Sequence, residues 1–309
     1  MPVYNGEKYL AETIESILAQ TLTSLELVVV DDCSSDSSVG IIRDCAKRDE
    51  RVRLVQHERN KGSASARNSG IATSCGEFIA AMDCDDISFP QRLEKQVDFL
   101  QSHPAIGVVG TGMQSLFEDM TTRVKVAVPQ QHALIVLRWC LGLFAVAGPT
   151  IMTRRNMLIS VGGYEDTRRI SDDHELYSRL LWKTRFANLP EALHLYRCHD
   201  NQKSVTMREE QKSEADVTWQ RWLNRLVGED QPISITRLNP LRDSTKIGWR
   251  ERRLLRRDVE RLIDALVAAK ILVASDMPLI EAEMNKRLES TTPRLWQMFL
   301  HWRRHRFGS

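Results

Sequence analysis

The sequence predicts an α/β fold, a mostly parallel sheet flanked by helices, with a helical C-terminal extension. Three observations carry this reading. Strand-like and helix-like segments alternate over the first two hundred residues, the pattern that covers both faces of a sheet with helices. The strand-like runs are short, apolar and rich in β-branched residues, as buried strands are. The last hundred residues read as helical, with an apolar stripe among charges at 251–263.

Taken in order, Pro2-Val3-Tyr4 reads as the end of a first strand. Tyr9, Ala11, Ile14, Ile17 and Leu18 recur at helical spacing. A β-branched run over 25–30 stops at Asp31-Asp32, and Ser37-Ser38 can cap a helix through Ile41 and Ile42. A strand over 51–55, a helix over 63–72 and a strand over 78–82 follow. These elements place one α/β domain at 1–204 and a helical region at 205–309, which either packs on that domain or associates with a membrane.

Composition narrows the class. The 309 residues are 42% apolar, enough for a sizeable core. No run approaches the roughly 18 consecutive apolar residues of a membrane span. Cys33, Cys45, Cys75, Cys84, Cys140 and Cys198 lack paired or zinc-finger spacing, so free thiols in a reducing compartment are expected, the cytoplasm by default. Net charge is +2, and residues 205–309 carry 20 Lys and Arg against 15 Asp and Glu. The basic excess therefore sits at the end.

Met82-Asp83-Cys84-Asp85-Asp86 places three carboxylates in four positions where an apolar run stops. Such carboxylates repel one another without a cation, so the spacing points to a divalent metal or a dense set of hydrogen-bond donors, the metal above all. In α/β sheets ligands gather at the carboxyl ends of strands. Tyr4-Asn5, Asp31-Asp32 and Asp83 to Asp86 all fall at such ends. The stretch 60–68 adds Gly62, small residues and the guanidinium of Arg67, which suits a phosphate or a base edge. A nucleotide is the expected ligand.

At this point the chain resembles the metal-dependent family 2 glycosyltransferases with the GT-A, Rossmann-like nucleotide-sugar fold. The resemblance rests on Pro2-Val3-Tyr4-Asn5, Gln20-Thr21, Val30 to Asp36, Asn60-Lys61-Gly62, Ala66-Arg67-Asn68, Asp83-Cys84-Asp85-Asp86 and Pro90-Gln91-Arg92-Leu93, in that order. It runs from residue 1 to about residue 204. It implies that Pro2 and Tyr4 bind the nucleotide sugar, Tyr4 stacking on uracil, that Asp32 accepts from the base imide and that Arg67 contacts the nucleotide. It places Asp83 at the ribose and makes Asp85 the ligand of Mg2+ or Mn2+ on the diphosphate. Asp172-Asp173-His174 resembles the family's acidic motif at a helix start, with Asp173 aligned to the general base and Asp172, standing where Glu is usual, as the alternative catalytic carboxylate. Gly148 to Met152 and Gly162-Gly163-Tyr164 resemble acceptor-side segments. Tyr196-Arg197-Cys198-His199 resembles the motif whose histidine approaches the metal.

The implied function is inverting transfer of a sugar from a nucleotide diphosphate, UDP above all, to a glycan or lipid-linked acceptor in surface polysaccharide synthesis. The competing readings are an N-terminally truncated binding relative without activity and a nucleotidylyltransferase. The latter needs a glycine-rich basic loop, and residues 1–12 hold only Gly6. Taken alone, Asp85-Asp86 and Asp172-Asp173 also fit acidic helix starts. The aromatic and basic segment 293–307 suggests peripheral contact with the inner face of the plasma membrane, and no nucleic-acid partner is expected. The family carries more apolar residues ahead of Pro2, and a first strand of two or three residues forgoes ladder bonds.

Overall fold

Buried β-branched residues build the first layer. In the computed structural model, which describes residues 1–117, 123–166, 170–200, 202–230, 232–243 and 245–291, strands β1 (Pro2–Val3), β2 (Leu27–Asp31) and β3 (Val52–Gln56) pair in parallel in that order. Every β2 residue is buried, as expected for a strand covered on both faces. Helices α1 (Leu10–Leu18), α2 (Ser38–Arg48) and α3 (Ser63–Thr73) supply the covering. Leu10, Ile14 and Ile17 of α1 join Val3, Leu27, Val29 and Ile42 in one cluster. Ala66 of α3 meets Val28 and Val30 in another.

The second layer comprises β4 (Phe78–Ala80), β5 (Ile87–Ser88), β6 (Ile106–Leu116), β7 (Arg123–Val126), β8 (Met152–Arg154) and β9 (Arg185–Arg197), with α4 (Arg92–Ser102) packed through Leu93 and Leu100. Its order is β4-β8-β6-β9-β5, with β7 on β6. The expected parallel pairing extends to β6 and β9, while β4, β5, β7 and β8 pair antiparallel. For β6 and β7 the reason is chain length, since so short a connection cannot make a parallel crossover. Gly112 lies at a register shift between β6 and β9. A Cβ there would sit 3.1 Å from the Glu191 carbonyl oxygen.

Two compact units emerge. The first comprises Met1–Gln131 and Val146–Ala215, and adds α6 (Arg155–Ser160), α7 (Asp172–Leu180), α8 (Lys203–Thr206) and the start of α9 (Arg208–Val227). The second takes His132–Ala145, which forms α5 (His132–Cys140), and the described chain from Asp216. It includes α10 (Ile235–Asp243), α11 (Trp249–Ala268) and α12 (Met277–Thr291). A single boundary at 204 thus omits α5, which belongs by contact to the helical unit because Ile135, Trp139 and Cys140 are apolar and buried. There Trp139 and Trp222 meet edge to face at 6.3 Å, a favourable aromatic geometry. Among the described residues no helix is long and apolar enough to cross a membrane. Segment 293–307 lies outside them.

β1 pairs with β2 at two positions, and the Met1 amine donates to the Val28 carbonyl at 2.8 Å. Burial lowers that amine to about 5. A cavity of about 550 Å³ adjoins it, lined by Met1, Ile17, Leu27, Phe78 and Leu93 among others.

Candidate active site

The loops after β1 and β2 are stitched together. Asn5 adopts a left-handed φ of 52°. Its N–H donates to Ser34 Oγ and its Oδ1 accepts the Ser35 N–H, both at 2.9 Å. The expected Ser37-Ser38 cap of α2 is not made. Ser38 Oγ instead accepts the Gly6 N–H at 2.9 Å, and Asp36 accepts from Ser38 and Glu7. The serine thus joins the two loops. Tyr4, 54% exposed, stands clear of this network beside Pro2 as an open aromatic face.

Asp32 is 3% exposed. Its Oδ1 accepts from His57 Nδ1 at 2.7 Å and the Lys61 N–H at 2.9 Å, and its Oδ2 accepts the Gly62 N–H at 2.7 Å. Of roughly four acceptor positions on a carboxylate, one on Oδ2 is left for an incoming N–H. The other ring nitrogen of His57, Nε2, lies 2.9 Å from Ser69 Oγ. Gly62 holds φ at +92°, a conformation that favours glycine.

The acidic run divides three ways. Asp83 accepts from Arg67 Nη2 at 2.8 Å. Asp85 meets His199 Nε2 at 3.0 Å, and the His199 ring lies 5.2 Å from that of Tyr9. Asp86 is fully buried and accepts the Arg197 N–H at 2.9 Å and His194 Nε2 at 2.8 Å. Burial pushes His194 down to about 3, so a neutral ring donates to Asp86 and accepts from Arg92 Nη1 at 3.3 Å. Asp86 is therefore an internal fastener, and no cap of α4. Burial pushes the Asp86 carboxyl up, and Asp86→Ala is expected to lower the urea midpoint because it strands two buried donors, at about 1–3 kcal/mol each.

Asp85 tests the fit of a cation. Burial, then the charges of Asp86 and Asp83, push it up to about 6, with His199 opposing. Crowded carboxylates of this kind are what a divalent ion relieves. Among the described residues no three His, Cys, Asp or Glu groups are arranged as a metal cage. Asp85 and His199 fit instead as the small protein share of an ion that keeps waters and takes phosphate oxygens. Cys84, pushed up to about 12 by burial and the neighbouring carboxylates, stays a thiol.

On the opposite side Ser171, at φ 56°, turns the chain into α7. Asp172 Oδ2 accepts from Arg67 Nη1 at 2.5 Å and Ser63 Oγ at 3.3 Å, and its Oδ1 accepts the Asp173 N–H at 3.1 Å. Asp173 accepts the His174 N–H at 2.8 Å through Oδ1. A Cβ on Gly148 would sit 2.6 Å from its Oδ2. Burial, then Asp172, push Asp173 up to about 6 against the pull of Arg67, the range of a base poised for use near neutral pH. Asn68 and the Gly162-Gly163-Tyr164 turn interlock, for Asn68 Oδ1 accepts the Tyr164 N–H and Nδ2 donates to the Tyr164 carbonyl, both at 2.8 Å.

Known proteins match this chain. The profile of glycosyl transferase family 2 covers residues 1–162, more than half its length. The chain belongs to glycosyl transferase family 2. EpsE of Bacillus subtilis (strain 168), named as a glycosyltransferase, is 37% identical over 208 residues, covering 64% of this chain and 71% of EpsE. TuaG of the same organism, named for teichuronic acid biosynthesis, is 38% identical over 120 residues, 39% of this chain and 47% of TuaG. The crystal structure of S. aureus TarS 1-349 in complex with UDP-GlcNAc matches with TM-score 0.55 and 20% identity over 97% of this chain and 90% of that chain. At that identity the likeness concerns the fold. A longer TarS chain is covered over 53% of its length.

In this family 2 glycosyltransferase the structure gathers Asp83, Asp172 and Asp173 around Arg67, and Asp85 with His199. Tyr4 and Asp32 directly follow β1 and β2, and Pro2 opens β1. Sequence reasoning missed His57, His194 and the anchoring of Arg197, whose Nη2 donates to Glu12 at 2.7 Å and Nε to the Asp85 carbonyl at 2.8 Å. The expected motif around His199 contained Arg197, but nothing local marked His57.

Proposed function

We propose that this family 2 glycosyltransferase moves a sugar, with inversion, from a UDP-sugar to a hydroxyl of a glycan or lipid-linked acceptor in surface polysaccharide synthesis. What supports the reading is one arrangement: Arg67 spans Asp83, beside the cation-seeking Asp85, and Asp172, next to the poised Asp173. Carboxylates assigned to donor and acceptor are thus tied to one guanidinium. The name of TuaG, for teichuronic acid biosynthesis, and the UDP-GlcNAc in the TarS complex favour the same reading.

In this reading Tyr4 stacks on uracil with Pro2 at its edge, and the remaining position on Asp32 Oδ2 accepts the imide N–H. Asp83 takes the ribose. Asp85 and His199 would hold Mg2+ or Mn2+, which when bound offsets the charge gathering on the leaving diphosphate. Asp173 takes the proton of the attacking hydroxyl as the oxygen bonds to the sugar carbon and the nucleotide departs with the electron pair of the broken bond. Asp172, held by Arg67, Ser63 and the Asp173 N–H, serves as support. Contact of 293–307 with the inner leaflet would keep the enzyme near a lipid-linked acceptor.

The decisive experiment screens nucleotide sugars with Mn2+ and Mg2+ for nucleotide release and transfer. Metal-dependent turnover of a UDP-sugar is expected, and none with any donor would overturn the reading. Gly148→Ala tests the base side. Its Cβ would collide with Asp173 Oδ2, so turnover is expected to fall up to about a hundredfold, the scale of an ångström's misplacement, with UDP affinity intact.

A further inference from the structure

Arg67 is the joint of the site. It lies on α3, its side chain only 19% exposed, with the guanidinium 5.4 Å above the Tyr164 ring. Its two terminal nitrogens reach different loops, Nη2 to Asp83 after β4 and Nη1 to Asp172 at the start of α7. A planar fork with two fixed donors suits such a span, where a lysine would hold one partner at a time. The expected role of Arg67 as a nucleotide contact must share this guanidinium with both carboxylates.

Asp172 is equally committed. Ser63 Oγ also donates to its Oδ2, and its Oδ1 receives the backbone N–H of Asp173. That last bond fixes the first turn of α7, and so the direction in which Asp173 leaves it. On the far side Asp173 Oδ2 meets Gly148, where no Cβ intervenes.

We propose that Asp83–Arg67–Asp172 is a bridge of positioning residues that aims Asp173 at the acceptor side and electrostatically couples it to the donor loop. The proposal rests on the reading of Asp173 as the base. Charge and geometry agree on it. The groups facing Asp173 are Asp172, His174 and Tyr177 of α7, Arg67 of α3, Asp83 of the donor loop and Tyr164 of the turn after α6. Burial lowers His174 to about 4 and raises both tyrosines, so at neutral pH these three carry no charge. The field on Asp173 then comes from Arg67 against Asp172 and Asp83. Removing Arg67 must make Asp173 hold its proton more tightly, and removing the charge of Asp172 must do the opposite. A strut that only held the fold would move neither.

The experiment titrates aspartates labelled with carbon-13 at the side-chain carboxyl in the full-length, ligand-free protein by NMR, the Asp173 signal assigned by its loss in Asp173→Asn. Arg67→Gln is expected to move the Asp173 midpoint upward and Asp172→Asn to move it downward, each by about one pH unit or more, the effect of a charge within a few ångströms. Arg67→Lys keeps the charge and should leave the midpoint near its original place while lowering kcat with the active UDP-sugar, through loss of the two-point span. Circular dichroism confirms that each variant folds. Unchanged midpoints in both charge-removing variants, or shifts in the same direction, would overturn the bridge. Opposite shifts together with normal turnover in Asp173→Asn would leave the electrostatic coupling standing and refute Asp173 as the base, so the two failures are separable.

Discussion

Asp173→Asn is expected to lower transfer by about 10²–10⁴-fold, the usual share of a positioned general base, while UDP affinity in the presence of Mn2+ stays within about twofold. The asparagine keeps the shape that packs against Gly148 and can accept from the His174 N–H, but it cannot take a proton. The wild-type pH profile carries the same signature. Asp173 is pushed up to about 6, so kcat/KM should be level above that pH and fall about tenfold per unit below it. Stability runs the other way. A carboxyl whose folded pKa lies above its unfolded value opposes folding as pH rises from about 4 to 6, and fully beyond. Asp173→Asn should therefore melt higher than wild type at pH 7 and show no such gain at pH 3.5. Near-normal turnover in the variant would refute the assignment.

Asp85→Ala should abolish metal-dependent binding of UDP. Loss of a supporting group alone weakens metal sites by about 10–100-fold, so removal of the principal carboxylate should exceed a hundredfold. Isothermal titration with UDP at fixed Mn2+ reads it directly. The variant should fold normally, because Asp85 is partly exposed and its burial is uncompensated except by His199. Its neighbour Asp86 should show the reverse pattern, costing stability first, since Arg197 and His194 are anchored to it from inside. Equal metal affinity in Asp85→Ala and wild type would remove the metal assignment.

Much of the first layer was legible in the chain. β2 is a run of five buried residues, and a run that apolar between charged ends has few alternatives to a central strand. The motif series placed Tyr4, Asp32 and Asp83 at strand ends because α/β loops gather there. Strand direction in the second layer was not legible. The period of a strand tells which side chains share a face and says nothing of which way its neighbour runs, so the antiparallel insertion of β8 between β4 and β6 leaves no local trace. The insertion of α5 into the helical unit is hidden for the same reason.

By itself the sequence determined the order of the motifs, the family, and the presence of more carboxylate than the loops could hold without a cation or basic partners. Only the tertiary structure decided which carboxylate does what. Asp83, Asp85 and Asp86 look alike in the chain, yet they face Arg67, His199 and the buried His194 respectively. Those partners lie 16, 114 and 108 residues away. The proton affinity of a side chain is set by burial and by charges within a few ångströms, and such distances are fixed by packing across the fold, not by neighbours along the chain.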